Sequence, residues 1–151
     1  MSYKMCLEKA GAEVLDFKHF GSYQGTWMAF VNYGGKKGIV EGSYGSCSGC
    51  DAFEAEFDYS KEPTIGDDGK YFRNYQVWDE DNECTKEEYD RLIDDYEQKL
   101  VAFGRRYCGT LSDPDLYERP HFEARLKQLK EGDWFDDEEK EQINWALNQN
   151  W

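Results

Sequence analysis

Cys47 and Cys50 stand two residues apart in YGSCSGCDAFEA, residues 44–55, between an apolar run and an acidic one. Three chemistries use such a spacing. A turn carrying Cys-x2-Cys supplies two thiolates of a tetrahedral zinc site, which then needs a second pair; Cys84, Cys108, His19 and His121 are not spaced as one. A redox pair has one thiol acidified at a helix start, but here Asp51 follows directly and its charge opposes a thiolate. A nucleophile elbow fits Gly45-Ser46-Cys47-Ser48-Gly49, yet such an elbow follows several βα units, and neither histidine has a recognisable orienting partner. The reading that asks least is a small-residue turn: Gly45 and Gly49 permit unusual backbone angles, Ser46 and Ser48 bond to nearby backbone, and both thiols pack as small apolar groups. A structural turn without cofactor is therefore the expectation. A small thiol, redox or zinc protein acting through Cys47 and Cys50 is the alternative.

The carboxylates are the second candidate. In 151 residues, 18 basic side chains face 32 acidic ones, a net charge of −14. The first 50 residues hold 5 lysines against 4 acids, which leaves 13 basic and 28 acidic groups for residues 51–151. A field of that sign repels nucleic acid and anionic membranes and attracts cationic surfaces, within a screening length of about 8 Å at physiological salt. The expected partner is a protein with a basic surface, with no direct nucleic-acid or membrane binding.

Two clusters concentrate this charge. From residue 85 a helical period runs through Tyr89, Leu92, Ile93, Tyr96, Leu100, Phe103 and Tyr107. Beside it Glu87/Arg91 and Asp95/Lys99 are favourable acid-before-base pairs, whereas Asp90, Asp94 and Glu97 form a less covered stripe behind Asp79, Glu80, Asp81 and Glu83. The second cluster, including Asp137, Glu138 and Glu141, surrounds the start of the last helix. Carboxylates about 5–6 Å apart along a helix resemble a row of phosphates. The predicted function is a non-enzymatic acidic protein-binding module, an inhibitor that mimics nucleic acid before a basic protein. Asp90, Asp94, Glu97, Asp137, Glu138 and Glu141 would converge in one patch, with Trp134 or Trp145 as anchors or as core. The plainer reading is that acids stabilise helix N-termini by about 0.3–1 kcal/mol each and keep the surface solvated. A calcium loop in DEDNECTKEEYD is not expected, because Cys84 stands where the loop needs glycine and Asp90 where it needs glutamate.

The elements that position these residues follow from periodicity. β-Branched and aromatic residues over 14–33, a turn between Gly21 and Gly25, and the pair Gly34-Gly35 predict an antiparallel meander over roughly 13–44. Alternation in DAFEAEFDYS favours a further strand over a short helix, and KYFRNYQVW after the GDDG turn predicts another. Three helices follow: one from the capping box Thr85…Glu88 to Gly104 or Cys108, one over 121–130 closed by Gly132, and one over 137–149 after Asp136 and Glu139. The predicted class is α+β: a meander of about four or five strands in 1–84 and about three helices in 85–151, as a single domain with no linker or repeat.

No run of about 18 apolar residues exists, and the start lacks a basic stub followed by an apolar block. Five irregularly spaced cysteines are a poor disulfide framework. A cytoplasmic protein with free thiols is expected. The stretches SYQGTWMAFV and YGSCSGCDAFEA together resemble a pattern in small uncharacterised bacterial and phage proteins; this implies a bacterial or viral origin and carries no activity with it.

Overall fold

In the computed structural model, residues 2–46, 51–57, 61–108, 116–132 and 134–151 are described. Helix α1 (Ser2–Lys9) leads into three nine-residue strands, β1 (Glu13–Gly21), β2 (Gly25–Tyr33) and β3 (Lys36–Tyr44), paired antiparallel in the order β1-β2-β3. The tight turn between β2 and β3 is Gly34-Gly35, at φ 60° and 81°, angles that a side chain resists and a primed hairpin turn requires. The meander over 13–44 thus forms as its sequence signals indicate.

Beyond residue 44 the expectation of four or five strands in one sheet is corrected. The stretch Ala52–Phe57 is a helix, α2, not a strand. Asp51 accepts hydrogen bonds from the backbone N–H groups of Phe53 and Glu54, an N-terminal cap, and Phe53 and Phe57, one turn apart, share the buried face. The second predicted strand shrinks to β5 (Tyr71–Phe72), flanked by β4 (Thr64–Ile65) and β6 (Glu83–Cys84) in a separate three-stranded sheet. The three long helices are α3 (Lys86–Cys108), α4 (Arg119–Lys130) and α5 (Asp137–Leu147).

Strand pleating decides where the helices sit. Trp27, Ala29 and Val31 of β2 point to one face with Val40 of β3, and meet Tyr3, Cys6 and Leu7 of α1, Phe53 and Phe57 of α2, and Leu100, Phe103 and Cys108 of α3. Met28 and Phe30 point to the other face with Phe20 and Ile39, and meet Phe122 of α4 and Ala146 of α5, with Trp145, Leu147 and Trp151 at the margin. The central strand is therefore buried on both faces, and the sheet lies between two helical layers. A Cβ on Gly104 would fall onto the Cys6 carbonyl, so α1 and α3 cross with their backbones in contact. At the outer edge of β3, Tyr117 N–H and C=O each bond Ile39 at 2.8 Å, an isolated bridge that pairs one residue of that edge. No helix among the described residues is long and apolar enough to cross a membrane.

Candidate functional site

Cys47 and Cys50 lie outside the described residues. Of the other cysteines, Cys6 and Cys108 are buried, and burial pushes their thiols up to about 12 and about 11, so both stay protonated as small core groups. Among the described residues no three His, Cys, Asp or Glu side chains are grouped to hold a metal ion.

The six carboxylates singled out from the sequence each have a partner within the molecule. Lys86 Nζ donates to Asp90 at 2.7 Å, Gln98 to Asp94 at 3.1 Å, and Lys9 of α1 to Glu97. On the last helix, Lys140 approaches Asp137 at 4.0 Å, Gln142 donates to Glu138 at 3.2 Å, and Lys18 of β1 pairs with Glu141 at 2.7 Å. The two triads also sit on helices that cover opposite faces of the sheet, α3 on the Trp27 side and α5 on the Phe30 side. They do not meet in one patch. The cap at Asp136 is complete, with Asp136 accepting from Glu139 N–H at 2.8 Å and Glu139 from Asp136 N–H at 3.0 Å. At Thr85 only half of the box forms: the hydroxyl accepts from Glu88 N–H, while the Glu88 carboxylate turns to Arg73.

That diversion orders the acidic loop of Asp79, Glu80, Asp81 and Glu83, in which the sequence does not single out Arg73, Asn82 or Trp78. Arg73 donates twice to Glu88, at 2.9 and 3.1 Å, and through Nη1 to the carbonyls of Asp81 and Glu83, each at 3.0 Å. The hydrogen bond between them is the chief cause by which Glu88 holds the Arg73 guanidinium above its ordinary pKa and Arg73 holds the Glu88 carboxyl below its own. Asn82, buried, donates to the Asn74 side chain at 2.7 Å and to the carbonyls of Asn74 and Gln76 at 3.2 and 3.1 Å. Asp79 accepts from Asp81 N–H. These bonds tie residues 73–84 into a fixed loop, and the loop holds apolar side chains in water: Trp78 is 74% exposed, beside Val77 and Tyr75. The exposed Asp79, Glu80 and Asp81 follow Trp78 directly. Trp134 is the other exposed tryptophan, at 83%, whereas Trp145 packs edge-on against Phe20, 6.0 Å away, and belongs to the core margin.

A second concave site lies between α1, α2 and the sheet. A cavity of about 210 Å³ is lined by Tyr3, Phe17, His19, Tyr44, Gly45, Asp51, Phe53 and Glu54. Phe17 and His19 alternate along β1, so both leave the same face, and the His19 ring stands 68° to Phe17 and 89° to Tyr44. Asp51, 7% exposed, accepts from Tyr3 Oη at 2.6 Å, from two backbone N–H groups of α2 and from Gly45 N–H at 3.2 Å. Burial lowers the His19 pKa and the Asp51 charge opposes that shift, so the imidazole is neutral at neutral pH. The alternation of Phe17 and His19 is visible in the sequence; that α1 and Asp51 close over them is not.

No protein-family model, curated protein or solved structure matches this chain.

Proposed function

We propose that the protein is a non-enzymatic acidic binding module that docks on a basic protein surface through the loop of residues 73–84. The observation that carries this reading is Trp78, a large apolar side chain held in solvent on a loop fixed by Arg73 and Asn82 and followed by three exposed carboxylates. Tryptophan is among the side chains that supply most interface energy, and a loop ordered before binding loses little entropy on docking. The carboxylates add steering toward lysine and arginine and select against acidic partners. The partner therefore presents an apolar pocket rimmed by cations. Where that rim is a nucleic-acid groove, docking excludes the nucleic acid, and the module acts as its mimic. The α5 carboxylates Asp137, Glu138 and Glu141 stand apart from this contact, and on α3 Lys86 and Lys9 pair with Asp90 and Glu97.

The test compares capture by the wild-type chain, Trp78→Ala and Glu80→Lys/Asp81→Lys. The expected outcome is a partner retained at low salt, released at high salt, and lost by about tenfold or more in affinity with either variant. A partner that binds all three alike overturns the assignment. Competition of the isolated partner's complex with nucleic acid then tests the mimicry. The thiol or zinc reading is a second one, favoured by Gly45 and Asp51: joined by a hydrogen bond, they bracket the cysteine segment in sequence and line the cavity that contains His19. It requires that Cys47→Ser/Cys50→Ser abolish function, and its zinc form requires further that the native mass include a metal ion.

A further inference from the structure

We infer that the cavity between α1, α2 and the sheet is a binding site for an organic ammonium group. It shares no residue with the Trp78 loop and stands independently of that docking surface.

Three observations carry it. The walls are aromatic: Tyr3, Phe17, His19, Tyr44 and Phe53. The His19 ring packs edge-on against Phe17 and Tyr44, with centroids 5.1 and 4.9 Å apart, so the three rings form one continuous aromatic wall, a surface on which a cation meets ring quadrupoles. The described lining carries acid and no basic side chain. Asp51 is buried, all its donors are neutral, and no lysine or arginine among the described residues bonds to it or lines the cavity. The carboxylate of exposed Glu54 and the His19 imidazole make no hydrogen bond or ion pair with described residues, so both are free to meet a ligand. Neutral donors and the N-terminus of α2 hold the Asp51 charge in the free protein, and together with Glu54 it leaves the lining net negative, which favours a cation as ligand.

The size fits. At roughly 30 Å³ per water, 210 Å³ admits a substituted ammonium head but not a nucleoside or an extended peptide. An anion would face Asp51 and Glu54, and a neutral apolar group would leave both carboxylates without a counter-charge. The ammonium has two sources, a free small amine of the choline type or the side chain of a lysine, methylated or not, in a protein.

The experiment titrates the intact protein with choline, with its uncharged carbon isostere 3,3-dimethylbutan-1-ol, and with capped lysine and capped trimethyllysine, following the His19 and Tyr44 ring resonances. At least one cation is expected to saturate, with the isostere about tenfold or more weaker. Choline tighter than capped trimethyllysine identifies a small-molecule site; the reverse order identifies a side-chain reader. Phe17→Leu and Asp51→Asn should each weaken the cation by about tenfold. Because Asp51 also caps α2, the exposed Glu54→Gln is the folding-neutral control and should weaken it a few-fold. Equal binding of the isostere, or no saturation by any of the cations, overturns the assignment. Cys47→Ser/Cys50→Ser should leave the titration unchanged, which separates this site from thiol chemistry.

Discussion

At the scale of single residues, histidine protonation is the clearest lever on this molecule. His19 is held below its ordinary range by burial, partly offset by Asp51, and His121 by burial and then by Arg125. Asp51, Glu54, Tyr3 and Tyr44 surround His19, while Tyr117, Phe122 and Arg125 surround His121. The folded chain therefore takes up these protons at lower pH than the unfolded chain does. Above about pH 6.5 neither state binds them, and as pH falls below 6.5 toward the folded-state values the unfolded state gains protons first and stability declines. Glu41 works against this at lower pH, because burial raises its carboxyl and the folded state binds that proton more readily. Urea midpoints between pH 8 and 5 should fall for the wild type and fall less for His19→Gln/His121→Gln; parallel curves would contradict the assignment. A bound cation beside His19 should depress its titration further, a shift that NMR reads directly.

At the scale of elements, the crossing of α1 and α3 depends on a missing side chain. Gly104 lets the helix backbone rest on the Cys6 carbonyl with Ala10 alongside. Gly104→Ala improves local helix propensity by about 1 kcal/mol, but overpacking typically costs about 1–3 kcal/mol, so a net loss is expected. A raised denaturation midpoint would show that the helices separate freely. Elements with strong local signals were legible in the sequence: the glycine-turned meander, the caps at Thr85 and Asp136, and the long apolar stripe of α3. Those whose form is set by distant groups were not. The alternating pattern of residues 52–57 reads as a strand until Asp51 caps it and the Phe53/Phe57 pair packs on Tyr3 and Phe103. Residues 73–78 have strand-forming side chains, yet Asn82 draws the carbonyls of Asn74 and Gln76 into successive turns instead. Helix α1 carries few start signals of its own and owes its place to the Trp27 face, where Tyr3 stacks on the indole at 4.9 Å. The candidate sites divide the same way. Excess acid was plain from composition, but which carboxylates are paired off and which aromatics remain in water depends on side chains brought together across the fold.

At the scale of the whole molecule, the two-faced sheet makes the helical layers interdependent. Trp27 is fully buried and stacks on Phe17, its rings held against Gly42, where a Cβ would meet them at 2.6–2.8 Å. Its indole N–H has no partner among the described residues, a cost that the surrounding aromatic packing offsets. The opposite face is also apolar and, among the described residues, is covered by α4, α5 and Trp151. A chain shortened to residues 1–108 is therefore expected to aggregate rather than to fold as a smaller unit, which sedimentation of the expressed fragment checks. The same asymmetry shapes biogenesis. As the nascent chain leaves the ribosome, α1, the meander and α3 emerge first, and Phe20, Met28, Phe30 and Ile39 stay bare until the last two helices are released. The vulnerable interval of synthesis is thus the one between the emergence of α3 and that of α5, and a chaperone that guards this protein should hold it there.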